Sequence, residues 1–95
     1  MPMLIGVCLV DIHLPASGSL KNKRFIIKSL KDRIRKQFNV SIAEIDYHDL
    51  WQRSLLGMAV VTQEAQFAHQ VLSKAVDVVR SETRIELLDY HIEIR

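Results

Sequence analysis

Apolar and polar positions alternate along this chain in six blocks, each bounded by residues that break regular structure. Met3 to Leu14 is rich in β-branched and long aliphatic residues and reads as a strand, and Pro15-Ala-Ser-Gly-Ser19 ends it. From Leu20 to Phe38 the period becomes helical: Leu20, Ile26, Ile27, Leu30, Ile34 and Phe38 share one broad sector. Ser19 is placed to cap this helix, and Asn39 to stop it, because asparagine tolerates the left-handed conformation that ends many helices. Val40 to Tyr47 reads as a second strand, His48-Asp49-Leu50-Trp51 as a turn, and Ser54 to Thr62 as a third strand with Gly57 at its centre. A second helix runs from about Gln63 to Ser81, with Thr62 as its cap and Phe67, Ala68, Val71, Leu72, Ala75, Val78 and Val79 inward; Arg84 to Ile94 is the last strand.

The order β-α-β-β-α-β predicts an α+β fold of the ferredoxin-like kind: an antiparallel sheet ordered 4-1-3-2 with both helices on one face, in one domain over residues 1–95. Antiparallel pairing of the first and last strands puts Leu4, Gly6, Cys8, Val10 and Ile12 with Leu88, Tyr90, Ile92 and Ile94 on the core side. Ile5, Val7, Leu9, Asp11 and His13 then join Ile85, Leu87, Asp89, His91 and Glu93 on a side that no helix covers. A half-aliphatic open face marks an interface, so a homodimer or sheet extension between subunits is expected.

Charge changes the picture at the first helix. Leu20 to Phe38 carries eight basic residues against Asp32 alone, a net +7, while the rest of the chain has five basic against ten acidic residues, a net −5. The overall +2 conceals one strongly positive helix on an acidic body. Arg24, Lys28, Lys31 and Arg35, with Lys21 ahead of them, stack on one side of that helix, where like charges repel by a few tenths of a kcal/mol per pair until an anion approaches. The stripe would also serve as a solvated face whose aliphatic stems cover the core edge. Phe25 falls outside the apolar sector, between the basic stripe and Lys36, and an exposed phenyl there can stack on a base or fill a subunit contact.

Other chemistry is sparse. At 48% apolar and 25% charged residues the composition is ordinary for a globular domain. The single cysteine, Cys8, lies inside an apolar run, as a buried inert thiol would, and leaves no disulfide within the chain. The apolar run at the start meets Asp11 too early for a membrane span or a usual signal peptide, so a cytoplasmic protein with no membrane contact is expected. Asp11, His13, Asp89 and His91 are alternate residues on adjacent strands, but the expected register sets His13 near Ile85 and His91 near Val7, too far apart to share a metal, and none is expected. There is no phosphate-binding glycine loop, no paired-cysteine zinc spacing and no serine elbow, so neither an enzyme nor a cofactor is expected. Ser17, Gly18 and Ser19 ahead of the basic helix form a candidate anion-binding loop. The two central strands lack the aromatics on which RNA-recognition motifs stack bases, so RNA would be held by phosphates on the helix.

The SLKNKR motif (Ser19 to Arg24), the run FNVSIAEIDYHDLWQR (Phe38 to Arg53) and the following Gly57 closely resemble the YlxP-like family, small bacterial proteins of unknown function with a ferredoxin-like fold. The resemblance spans nearly the whole chain. It implies a cytoplasmic bacterial protein, often encoded near genes for translation initiation and ribosome maturation, and it assigns no catalytic residue. Its pattern points to Ser19, Leu20, Lys21, Lys23 and Arg24 and to Glu44, Asp49, Trp51, Gln52 and Arg53. Of these, Lys23 lies at the edge of the apolar sector, half buried or paired. Glu44 is a partner for a cation such as Lys23 or Arg53, and Asp49 and Trp51 organise the connection between the second and third strands. The leading expectation is a non-enzymatic homodimer that binds RNA or a ribosomal subunit through Lys21, Arg24, Lys28, Lys31 and Arg35. The alternatives are a small-molecule regulatory module of the ACT kind, with its ligand near Pro15 to Ser19, and an adaptor for an acidic protein partner.

Overall fold

A computed structural model describes residues 2–95. Six elements follow one another: β1 (Leu4–His13), α1 (Leu20–Gln37), β2 (Ser41–Asp46), β3 (Arg53–Thr62), α2 (Ala65–Ser81) and β4 (Glu86–Ile94). The strands form one antiparallel sheet in the order β2-β3-β1-β4, and both helices pack on the same side of it. The ferredoxin-like architecture is therefore as the period changes predict. Cys8, Val10 and Ile12 of β1 and Leu56, Met58 and Val60 of β3 meet Ile26, Ile27, Leu30 and Ile34 of α1 and Ala68, Leu72, Ala75, Val76 and Val79 of α2. α2 approaches β1 so closely that a Cβ on Gly6 would lie 2.9 Å from the Cβ of Ala68, which is why the first strand is thinned to a glycine there. Burial among these groups pushes the Cys8 thiol up to about 11, so it stays protonated and unreactive.

Several local expectations are corrected. β4 pairs with β1 two positions away from the expected register, with His91 opposite Leu9, and an irregularity between Asp11 and Ile12 shifts it again so that His13 faces Glu86. An odd shift reverses the side on which every later residue points. Leu87 and Ile85 consequently turn to the core, and Leu88 is left exposed. α1 ends at Phe38, whose extended backbone leads straight towards β2, so Asn39 adopts no left-handed stop. α2 begins at Glu64 without a side-chain cap; the Thr62 hydroxyl accepts from the Glu64 N–H just outside the helix. Phe67 is exposed, and Val76 takes an inward place instead.

The ends of the two helices are joined through Glu82, which lies almost wholly buried between Arg84 (2.8 Å) and Arg33 of α1 (3.0 Å). Chiefly through the hydrogen bond from Arg84, its carboxyl is held near 2, against an ordinary value of 4.5. The folded state thus binds this proton less readily than the unfolded chain. The stabilisation is complete above about pH 4.5 and is lost as the pH falls towards 2. Urea titrations between pH 7 and pH 2 should show Glu82→Gln less stable than the wild type at neutral pH, with the gap closing through that acid window; a gap constant with pH would contradict the assignment.

Candidate nucleic-acid interface

The site begins with the cap. The Ser19 hydroxyl accepts from the Asn22 N–H at 3.0 Å, starting α1 directly after the β1–α1 loop and fixing which side chains turn outward. Lys21, Arg24, Lys28 and Arg35 are exposed on one flank, and Lys31 is half buried below them. Lys28 pairs with Asp32 at 2.9 Å, and Arg35 lies 3.9 Å from the other oxygen of the same carboxylate. Arg35 also donates to the carbonyl of Ile42 in β2 at 3.0 Å. Among the described residues, no ion pair or hydrogen bond from the side chains of Lys21, Arg24 or Lys31 is formed. The sequence-level stripe is thus a connected surface, but two of its five cations already share an internal counterion. The hydrogen bond from Lys28 holds the Asp32 carboxyl below the usual carboxylate range, with Arg35 and Lys31 adding to the effect.

The outermost crest of α1 is less uniform than the stripe. Phe25 is 66% exposed and stands at one end of an open groove of about 740 Å³, beside Lys28, Ser29, Arg33 and Lys36. Arg33 leans to the opposite flank, where it is held by Glu82 and donates to the Ser81 hydroxyl.

Four of the residues singled out by the family pattern, Lys23, Glu44, Gln52 and Arg53, gather elsewhere, at the other side of α1. Lys23 is only 1% exposed. Its ammonium lies 3.0 Å from Glu44 of β2, 2.8 Å from the carbonyl of Tyr47, 3.2 Å from that of Arg53 and 3.4 Å from that of His48. Glu44 in turn accepts from the Ser54 hydroxyl at 2.6 Å. One side chain of α1 therefore gathers both ends of the β2–β3 connection. Tyr47 sits at φ 65°, a left-handed conformation costing a non-glycine residue about 1–2 kcal/mol, and the bond from Lys23 to its carbonyl holds it there. Gln52 extends the arrangement by donating to the carbonyls of Pro15 and Ser17. Arg53 binds Asp11 of β1 through two bonds of 2.8 Å and lies over the Tyr47 ring at 4.9 Å, and the paired carboxyl of Asp11 is held low.

Asp49 and Trp51 stand apart from this cluster. Both are exposed, Trp51 at 54%, along a surface depression with Leu50, Gln52, Arg53 and His13. In the Ser17–Gly18–Ser19 loop, Ser17 is buried, its N–H donates to Leu14 and its hydroxyl to the Ser19 carbonyl. A Cβ on Gly18 would meet open space. Of the four sheet residues weighed as metal ligands, Asp11 is engaged by Arg53 and the ring of His13 lies 3.3 Å from Glu86. Among the described residues, no group of three or more His, Cys, Asp or Glu side chains is placed to hold a metal ion. No helix among them is long and apolar enough to cross a membrane.

Ser54 and Tyr47 are the participants that the sequence does not announce. A serine opening a strand and a tyrosine ending one carry no periodic signal, and only the approach of Lys23 gives them their roles.

The architecture and this clamp together define a small ferredoxin-like protein with a charged helical face, and the chain belongs to the family described as "Protein of unknown function (DUF503)", whose model matches residues 5–92. It is 35% identical over 83 residues to the uncharacterized protein YlxP of Bacillus subtilis (strain 168), an alignment covering 87% of this chain and 90% of that protein. Among solved structures it is similar to the de novo designed protein Foldit4 (TM-score 0.54, 7% identity, 97% and 96% of the two chains). It is also similar to a C-terminal segment of the alpha subunit of aIF2 from Pyrococcus abyssi (TM-score 0.55, 15% identity, 93% of this chain and 51% of that one). A de novo designed protein with ferredoxin fold superposes with a TM-score of 0.51 at 14% identity, over 100% of this chain and 84% of that one. These likenesses are of fold.

The clamp makes a quantitative prediction. Lys23→Met leaves Glu44 partly buried without its cation and strips three carbonyls of a donor, so it should lower stability by about 3–5 kcal/mol in urea unfolding. Adding Glu44→Gln to that variant should return part of the loss, because the uncompensated charge is gone. Equal and additive effects of the two changes would show that the pair is not coupled.

Proposed function

We propose that this protein binds RNA, free or within a ribosomal subunit, through phosphate contacts made by Lys21, Arg24, Lys28, Lys31 and Arg35, and that it works as a binding protein rather than an enzyme. The observation that carries this reading is the state of the α1 surface. A net +7 is concentrated on one helix; Glu44 and Glu82 of the acidic remainder take Lys23 and Arg33, while Lys21 and Arg24 stay exposed and form no ion pair among the described residues. A binding role is further supported by the clamp, whose polar groups are directed at one another and at backbone carbonyls instead of an open pocket. The small-molecule alternative draws less support, since Gln52 closes the β1–α1 loop on itself by occupying the carbonyls of Pro15 and Ser17.

The second part of the proposal is a homodimer formed through the uncovered sheet face. Ile5, Leu9, Ile45 and Val61 are exposed there around a shallow groove of about 380 Å³ whose floor includes the small residues Ala43, Gly57 and Ala59. The Asp11–Arg53 pair neutralises the charges at one end of this face, which suits burial against a second copy.

Binding of the purified protein to ribosomal subunits and to short RNA across a salt series tests the first part. Affinity should fall steeply with salt, and a variant with Arg24, Lys28, Lys31 and Arg35 all changed to Gln should fold but lose binding; affinity insensitive to salt would refute the phosphate reading. For the second part, sedimentation should give a dimer for the wild type and a monomer for Leu9→Glu with Val61→Glu, whereas a wild-type monomer at high micromolar concentration would remove the dimer.

A further inference from the structure

We infer that the α1 crest takes RNA as a single strand, with one unpaired base stacked on the ring of Phe25 while neighbouring phosphates lie on the cations around it. This inference rests on the RNA-binding reading above and specifies which form of RNA the surface selects.

Phe25 is the first reason. A phenyl ring 66% exposed on the outer crest of a helix contributes little to this fold, because the core sector of α1 is filled by Ile26, Ile27, Leu30 and Ile34 on the opposite side. Its surroundings are the second. Lys21, one turn earlier, and the adjacent Arg24 are exposed and unpaired, and Lys28 lies on the next turn. Further along the same crest, exposed Lys36 stands about 16 Å away by helical rise, a span of two or three extended nucleotides. Between them runs the open groove, where the Phe25 ring is the one apolar side chain among Lys28, Ser29, Asp32, Arg33, Arg35 and Lys36. A planar apolar platform rimmed by cations matches one chemistry: an aromatic base joined to a phosphodiester chain. A duplex hides its base faces and would leave the ring unused. Asp32 is the single anion in the groove, and Lys28 and Arg35 already neutralise it. The uncovered sheet offers no such platform on its two central strands, so a stacked base has its place on the helix.

The probes are an unpaired oligouridylate of about 12 nucleotides, the same length of RNA as a duplex, inorganic polyphosphate of matched charge, and polyglutamate. Circular dichroism confirms that each variant is folded. Phe25→Ala should weaken oligouridylate binding about tenfold with an unchanged salt slope, and should leave polyphosphate binding unaltered. Phe25→Trp should bind at least as tightly as the wild type, with its added fluorescence quenched by the strand. If Phe25→Ala binds the single strand as well as the wild type while the four-glutamine variant does not, the stacked base is refuted and the basic face stands. Duplex bound as tightly as single strand refutes it equally, and polyglutamate bound with the same dependence on Phe25 would overturn the assignment to RNA. A wild type that binds no RNA removes both readings together.

Discussion

A single buried ammonium organises this fold beyond its hydrophobic core. Lys23 arrives from α1 on the covered side of the sheet and is desolvated almost completely, a state that costs several kcal/mol unless every lost water contact is replaced. Glu44 supplies the countercharge, and the carbonyls of Tyr47 and Arg53, with His48 more distant, supply the remaining acceptors. Those carbonyls converge only if the β2–β3 connection takes one conformation, including a left-handed Tyr47. The fold of the connection and the burial of the lysine are thus conditions for each other. From that fixed connection, Gln52 reaches the loop before α1 and Arg53 reaches β1.

How much of this was legible depends on where the information resides. Period alone locates all six elements, because strands and helices with one buried face repeat every two or every 3.6 residues. Ser19 was legible as a cap because capping is local chemistry. The register of β4 was not, since alternating aliphatic residues on that strand satisfy more than one offset, and the irregularity opposite Asp11 and Ile12 leaves no mark in composition. The partnership of Lys23 with Glu44 was one of two offered by the charges, and the choice went against Arg53 because Asp11 takes that guanidinium on the other side of the sheet. Ser54 and Tyr47 join the clamp by geometry alone.

The basic surface was legible as composition and only partly as geometry. Counting charges finds the helix, and helical rotation finds the stripe, but neither shows that Arg35 is turned towards β2 or that Arg33 is held by Glu82. What remains available on α1 is Lys21, Arg24 and Phe25 in its N-terminal half, half-buried Lys31, and Lys36 in its last turn, on the side of the molecule away from the open sheet. Polar and apolar surfaces of this chain therefore face in different directions, and occupation of one leaves the other accessible.

Asp32 gives the helix a threshold. Lys28 is closed on its carboxylate, with Arg35 nearby, so an arriving anion competes with a tethered rival at very high local concentration. A lone inorganic ion gains little by displacing it. Were a polyanion to bind as proposed, contacts at Lys21 and Arg24 would bring its next charged group to Lys28 already anchored. One acidic residue in an otherwise cationic row thereby lowers the charge carried by the middle of the helix, while the exposed pair it forms with Lys28 holds that ammonium only weakly.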